Sequence, residues 1–190
     1  MSKNLLQLPD DLPAPQDDGA ASHLPGTAMP DIALAATSGG AVLLAGLQKR
    51  TVIYAFPRTG VPDEPTFFEG WEQIPGARGC TPQSCAFRDH HAELQQAGAD
   101  VFGLSTQDTA FQRDAVKRLH LPFALLSDDR LELTRSLKLP TFEVNGLTLL
   151  KRLTLIVRNG RIEHVFYPVF PPDTHASEVL EWLQGHQGEL

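Results

Sequence analysis

Cysteine is scarce in this chain. Cys80 and Cys85 are the only two among 190 residues, and they lie five positions apart. No apolar run approaches the roughly 20 residues that span a bilayer, and the first 18 residues lack a basic-then-apolar secretory pattern. We therefore expect a cytoplasmic protein, in which thiols are kept reduced. Paired cysteines there indicate catalysis or metal binding rather than a structural cross-link.

Basic residues are also in the minority. Sixteen lysines and arginines against 23 aspartates and glutamates give a net charge of −7. This balance argues against nucleic acid or an anionic membrane surface as a partner. The length and the 42% hydrophobic content suit one domain with a full core. Residues 1–24 carry three prolines, four aspartates and no aromatic residue, which predicts a flexible arm before a single domain over 25–187.

Alternating short apolar runs and amphipathic segments predict an α/β fold. Two segment pairs read as antiparallel hairpins, one of them N-terminal, so the central sheet should be mixed and flanked by helices. The predicted hairpins cover 31–44 and 152–167, the other strands 51–56, 101–105 and 124–127, and the helices 82–97, 109–119, 131–137 and 176–184.

A long loop interrupts this pattern between residues 58 and 79. It is rich in proline and glycine, yet it carries Phe67, Phe68 and Trp71. Loops of this length are uncommon in compact domains and are often functional. The three rings either pack as a small satellite cluster on the domain surface, or line a pocket near Cys80 or a partner surface.

Cys80 lies where this loop turns into a predicted helix, directly after Gly79. Unpaired amides and the helix dipole stabilise a thiolate at such a position. Cys85 is near enough in sequence to trap an oxidised sulfur. The alternative for Cys85 is a small buried hydrophobe of the core, which is common for free cysteine.

Two other kinds of site use these residue types. Cys80, Cys85, His90 and His91 are all possible zinc ligands, but their spacing is not that of a zinc finger or ribbon. A disulfide oxidoreductase normally has two residues between its cysteines, and here there are four. We therefore expect no metal and no cofactor.

The motifs around the cysteines resemble a known family. In chain order they are Tyr54-Ala55-Phe56-Pro57, Gly79-Cys80-Thr81-x-x-x-Cys85-x-Phe87-Arg88-Asp89, Phe102-Gly103-Leu104-Ser105, Leu125-Leu126-Ser127-Asp128, and Arg152-x-Thr154-Leu155-Ile156-Val157-x-x-Gly160. This order, over about residues 24–183, is similar to the peroxiredoxins, and within them to the bacterioferritin-comigratory or peroxiredoxin Q branch.

The resemblance implies a thioredoxin-like fold and thiol-based reduction of hydrogen peroxide and organic hydroperoxides. It makes Cys80 the peroxidatic cysteine and Cys85 the resolving one, with thioredoxin or a similar thiol as reductant. Arg152 would contact the peroxidatic sulfur, and Pro57 would open the active-site loop. We expect a monomer or weak dimer. A one-cysteine peroxidase resolved by an external thiol and a thioredoxin-like oxidoreductase remain alternatives.

The chain departs from the family pattern in two places. The family places a threonine or serine three residues before the peroxidatic cysteine, where this chain has Ala77, and the spacing from Pro57 to Cys80 is much longer. Thr59 is the candidate to supply the missing hydroxyl from another direction. The departure leaves open a binding protein without catalysis.

Overall fold

The structure, a computed structural model, describes residues 4–62 and 68–188 and has an α/β architecture. Nine strands and five α-helices are defined in this part of the chain. The strands are β1 Ala33–Ala36, β2 Ala41–Leu43, β3 Thr51–Ala55, β4 Asp100–Ser105, β5 Leu125–Ser127, β6 Thr141–Val144, β7 Leu147–Leu150, β8 Leu153–Arg158 and β9 Arg161–Phe166. The helices are α1 Cys80–Asp89, α2 His91–Gln96, α3 Thr109–Leu119, α4 Glu132–Leu137 and α5 His175–Gly185.

Seven strands form one mixed sheet in the order β2-β1-β5-β4-β3-β8-β9. The inner strand β3 is buried along its whole length, as a continuous apolar run predicts. It pairs in parallel with β4 and antiparallel with β8, where Ala55 lies opposite Leu153. This register brings the residue before Leu153 to the same edge of the sheet as the end of β3.

Residues of β3 alternate between two apolar cores, one on each face of the sheet. Val52 and Tyr54 face a core shared with α1, α2, α3 and α5. Ile53 and Ala55 face the other core, which contains residues of α4 and of β1, together with Leu24 from the segment before β1. The sheet is therefore covered on both sides, as the α/β pattern requires.

Most predicted elements are confirmed, with helix α3 matching its predicted bounds. The helix predicted over 82–97 begins earlier, at Cys80, and is divided at His90 into α1 and α2. The hairpin of β6 and β7 was not predicted, although Asn145-Gly146 between the two strands is a strong turn signal. Both turn residues have the positive φ angles that this turn requires.

The described part of the long loop packs on that hairpin. Trp71 lies 6.2 Å from Phe142, ring centre to ring centre, and Phe68 joins the same small apolar cluster. These two rings therefore pack as a small satellite cluster, which is the first of the two alternatives given above. Phe67 lies outside the described residues. Ala77 is a member of the cluster, so the packing continues to within three residues of Cys80.

Ala21 and Leu24 of the predicted arm are buried against the domain. The flexibility of residues 1–24 stays a prediction.

Within the described ranges, no helix is both long and apolar enough to cross a lipid bilayer.

Replacing Gly103 on β4 tests how tightly this strand packs against Tyr54 and Leu125. A Cβ at this position would lie 2.4 Å from Leu125 Cδ2 and 3.0 Å from the Tyr54 ring. We expect Gly103→Ala to lower the free energy of unfolding by about 1–3 kcal/mol, because overpacking shifts neighbours from their minima. Denaturant unfolding measures this. Gly185→Ala, with open space around it, is the control, and equal stabilities of the two variants would contradict the prediction.

Candidate active site

Cys80 is the first residue of helix α1 and is buried, with 4% of its surface exposed. Gly79 before it has a φ of +114°, a conformation that favours glycine. A Cβ on Gly79 would lie 2.4 Å from Pro172 Cγ and 3.0 Å from Leu8 Cδ2. The sequence therefore needs glycine here for both backbone conformation and space, and the turn fixes the thiol at the helix N-terminus.

Two backbone N–H groups are available as donors in the first turn of α1. The first hydrogen bond between turns joins the Gln83 amide to the Gly79 carbonyl at 3.0 Å. Pro82 has no N–H, and Gly79 has no side chain with which to cap the helix. The amides of Cys80 and Thr81 are therefore the first-turn donors, in a position that favours an anion.

Arg152, just before β8, is 3% exposed and meets Cys80 directly. Its Nη2 lies 3.3 Å from Cys80 Sγ. The same nitrogen lies 3.2–3.3 Å from the carbonyl oxygens of residues 76, 77 and 78. Its Nη1 donates to Gln83 Oε1. A buried cation thus joins the turn, the helix and the sulfur, and the catalytic role predicted for Arg152 stays a prediction.

Gln83 was missed by the sequence analysis. The only signal was its position three residues after Cys80, on the same side of the helix. Its side chain is fully buried, and its amide oxygen accepts a hydrogen bond from Arg152. Gln83 therefore holds the guanidinium from the helix side, while the loop carbonyls hold it from the other.

Cys85 lies one and a half turns further along α1, in a different environment. It is 9% exposed, and burial raises the pKa of its thiol above the ordinary value, against a weaker opposing effect of Arg88. Both cysteines are free thiols. Five residues of intact helix separate two Cα atoms by about 8.6 Å, whereas a disulfide needs less than about 7 Å. In this conformation the two sulfurs cannot bond.

Helix α1 is braced from the sheet side. The Tyr54 hydroxyl donates to Ser84 Oγ at 3.1 Å, and its ring stacks on Phe87 with centres 4.3 Å apart. All three residues are fully buried. The contact fixes the middle of α1 on β3 between the two cysteines, and the sequence analysis did not find it.

Pro57 and Thr59, the other predicted site residues, follow β3 and are both buried. The Thr59 hydroxyl donates to Gln107 Oε1 at 3.2 Å, and its amide donates to the same oxygen at 2.9 Å. Ala77 is fully buried, and its carbonyl oxygen lies 3.8 Å from Cys80 Sγ and 3.3 Å from Arg152 Nη2. The role proposed for Thr59 at the peroxide stays a prediction.

His90 and His91, the other candidate metal ligands, have partners of their own. His90 pairs with Glu93 through Nδ1 and with Ser177 through Nε2, at 2.9 and 3.2 Å. His91 packs on the ring of Phe123. In the described part of the chain, no group of three or more histidine, cysteine or acidic side chains is arranged to hold a metal ion.

A row of three hydrogen-bonded side chains, Thr154, His175 and Glu178, lies behind the site. Thr154, two residues after Arg152, donates to His175 Nε2 at 2.8 Å, and His175 Nδ1 donates to Glu178 at 2.8 Å. Burial lowers the pKa of His175, although Glu178 opposes this, and the ring is 1% exposed. His175 is therefore a neutral imidazole inside the core.

Comparison with known proteins places this arrangement in a family. The sequence profile of the Redoxin family matches residues 24–181, so the chain belongs to that family. Within it, a peroxiredoxin Q that is 31% identical over 96% of this chain and 79% of its own length places the chain on the peroxiredoxin Q branch. The resemblance noted from the motifs is confirmed, and so is the thioredoxin-like fold.

Two plant relatives are similar over most of the chain. Peroxiredoxin Q, chloroplastic, of Oryza sativa subsp. japonica is 33% identical over 161 residues, which cover 84% of this chain and 66% of that protein. The chain thus spans just under two thirds of the rice protein. Peroxiredoxin Q, chloroplastic, of Gentiana triflora is 31% identical over 189 residues, or 96% of this chain and 79% of that one.

Solved structures share the fold at lower identity. Peroxiredoxin Q of Xanthomonas campestris has a TM-score of 0.66 at 20% identity, covering 93% of this chain and 99% of that one. Peroxidoxin BcpB of Mycobacterium tuberculosis has a TM-score of 0.67 at 22% identity, covering 86% and 98%.

Replacing Arg152 tests the contact with the sulfur. Lysine keeps the charge but lacks the planar guanidinium, so it cannot contact the loop carbonyls, Gln83 and Cys80 Sγ at the same time. In a Cys85→Ser background, we expect Arg152→Lys to slow alkylation of Cys80 by iodoacetamide about tenfold. Arg135→Lys on α4 is the control and should react at the parent rate. An unchanged rate for Arg152→Lys would remove this arginine from the site.

The raised pKa of Cys85 predicts its pH dependence. Only the thiolate is alkylated, and its fraction rises as pH passes the thiol pKa. Because burial disfavours the charged form, the midpoint for Cys85 in a Cys80→Ser variant should lie above that of N-acetylcysteine amide, an uncharged reference thiol, under the same conditions. The pH–rate profile for iodoacetamide measures it. A midpoint at or below the reference would contradict the environment described here.

Proposed function

We propose that this protein is a thiol peroxidase that reduces hydrogen peroxide and organic hydroperoxides at Cys80. The observation that carries the proposal is the buried Arg152 Nη2 at 3.3 Å from the sulfur, at a helix N-terminus. The guanidinium contacts the thiol directly, and the amides of Cys80 and Thr81 lie in the first turn of the same helix, where an anion is favoured. Membership of the peroxiredoxin Q branch supports the same reaction.

In the first step, the Cys80 thiolate attacks one peroxide oxygen. The S–O bond forms as the O–O bond breaks, and the leaving oxygen takes up a proton and departs as water or an alcohol. Cys80 is thereby oxidised to a sulfenic acid while the peroxide is reduced. The developing charge on the two oxygens is stabilised by Arg152 and by the amides of Cys80 and Thr81.

Thiolate formation alone accelerates this step only modestly. An ordinary thiol of pKa ~8.5 is about 3% ionised at pH 7, so complete ionisation gives roughly thirtyfold, or ~2 kcal/mol. Most of the acceleration must come from donors aimed at the breaking O–O bond. The fixed position of the Arg152 guanidinium is what supports this role.

In the second step, the Cys85 sulfur attacks the Cys80 sulfenic sulfur and loses its proton. The S–O bond breaks and water leaves, so the two cysteines form a disulfide. Helix α1 must unwind at its start, because its intact geometry keeps the two cysteines too far apart. Pro82 removes one backbone donor there. Thioredoxin or a similar dithiol then reduces the disulfide by exchange.

The intact helix also favours one alternative. Under this alternative both cysteines stay in the intact helix as free thiols, and an external thiol that reaches Cys80 attacks the sulfenic acid in place of Cys85. The proposal further includes Pro57 at the start of the active-site loop, one domain over 25–187, a cytoplasmic location, and a monomer or weak dimer.

Serine variants separate the two cysteines. We expect Cys80→Ser to abolish peroxide consumption, since it removes the nucleophile. Cys85→Ser should react once and then lose turnover with thioredoxin and its reductase. Mass spectrometry of the peroxide-treated wild type should find a peptide that links Cys80 to Cys85, with a loss of two hydrogens.

Three other results would contradict parts of the proposal. A dead Cys85→Ser beside an active Cys80→Ser would reverse the two roles. Sulfinic acid on Cys80 with Cys85 free would indicate the one-cysteine mechanism. Insulin reduction without peroxide consumption would indicate a disulfide oxidoreductase instead.

A further inference from the structure

The N-terminal arm, defined here as residues 4–18, contacts the backbone turn that leads into Cys80. Arg78 Nη2 donates to the carbonyl oxygens of Asn4 and Gln7, at 3.0 and 3.4 Å. Leu8 closes over Gly79, with Cδ2 3.0 Å from the place of a Cβ. The arm therefore covers the outer side of residues 78 and 79, immediately before the peroxidatic cysteine.

The far end of the arm is anchored beside Arg152. Asp18 pairs with Lys151 at 2.7 Å and accepts a hydrogen bond from the Tyr167 hydroxyl at 2.8 Å. These two donors hold the pKa of the Asp18 carboxyl well below its usual range. Lys151 directly precedes Arg152, so one short segment contacts both the arm and the sulfur.

Between these two ends, the arm lines a cavity of about 250 Å³ that Arg152 also lines. Pro15 and Gln16 form its arm side, and Pro15 also packs close to Gly76. Residues 76–78 are thus held from two directions, since their carbonyl oxygens accept from Arg152 and their outer surface meets the arm. The turn that carries Cys80 is clamped between them.

We propose that the arm is a positioning element of the peroxidatic site, which stabilises the wound start of α1 and opposes the unwinding that lets Cys85 reach Cys80. The proposal rests on the function proposed above. A segment that binds only one of two conformations shifts their equilibrium toward that conformation by its binding constant. Unwinding from Cys80 displaces residues 76–79, so the arm must detach from them first.

The position of this equilibrium decides the fate of the sulfenic acid. In the unwound state, the Cys85 sulfur displaces water from Cys80 and forms the disulfide. In the wound state, the sulfenate sulfur attacks a second peroxide, the O–O bond breaks, and sulfinic acid and water or alcohol result. A docked arm therefore favours attack and over-oxidation over disulfide formation.

Arg78 provides the sharpest test, because its side chain binds the arm. Wild type, Arg78→Ala and Arg78→Lys are treated with increasing hydrogen peroxide, and mass spectrometry measures the ratio of Cys80–Cys85 disulfide to Cys80 sulfinic acid. We expect this ratio to rise about three- to tenfold in Arg78→Ala, as two charge-assisted hydrogen bonds are lost. Arg78→Lys, which keeps a cationic donor, should lie between. Arg135→Ala, which removes a comparable bond to the Arg130 carbonyl at 3.1 Å, should match wild type.

A protein lacking residues 1–16 is the second test, and it should raise the ratio further. An unchanged or lower ratio in folded Arg78→Ala would overturn the proposal, whether or not the shortened protein folds. Failure of the underlying function gives a different result. If Cys80→Ser still consumes peroxide, Cys80 is not the nucleophile and the proposed function fails. If no Cys80–Cys85 peptide forms in wild type, the disulfide step fails, and with it the step that the arm is proposed to oppose.

Discussion

The buried positive charge of Arg152 is the constraint on which the site depends. Burying a charge is strongly unfavourable unless it is paired and hydrogen-bonded. Its hydrogen-bond partners within the described residues are three loop carbonyls, the Gln83 amide oxygen and the Cys80 sulfur, with no carboxylate among them. These oxygens carry only partial charges. Among these five partners, the Cys80 sulfur at 3.3 Å is the one that can carry a full negative charge.

The sheet explains how two residues 72 positions apart meet. Strand β3 ends at Ala55 opposite Leu153, the first residue of β8, so Arg152 lies at the end of the sheet from which the loop after β3 departs. Helix α1 is then pinned on β3 by Tyr54 and Ser84. One helix consequently holds two thiols in different surroundings. Cys80 lies against a cation at the helix N-terminus, and Cys85 lies among apolar side chains that keep it neutral.

Features that depend on local chemistry could be predicted from the sequence, and features that depend on tertiary contacts could not. The helix N-terminus at Cys80 follows from neighbouring residues. The contact with Arg152 was expected only because the motifs resemble a family, since nothing local links the two. Gln83 and Ser84 look like ordinary helix residues until the fold buries them. The β6–β7 hairpin is a different case, because its Asn145-Gly146 turn was readable and was overlooked. The composition of the arm predicts flexibility, and no local pattern in it identifies the contacts that Leu8, Pro15 and Asp18 make with the rest of the fold.

The neutral imidazole of His175 limits the conditions under which this architecture lasts. The folded state resists protonating that ring, while the unfolded chain takes up the proton near an ordinary histidine pKa of about 6.5. Acidification below that value therefore draws the chain toward the unfolded state. Glu178, whose pKa is lowered by His175, adds to this loss below an ordinary glutamate pKa of about 4.3. Acidification below neutral pH therefore lowers the stability of the fold through the buried polar contacts that lie behind Cys80 and Arg152.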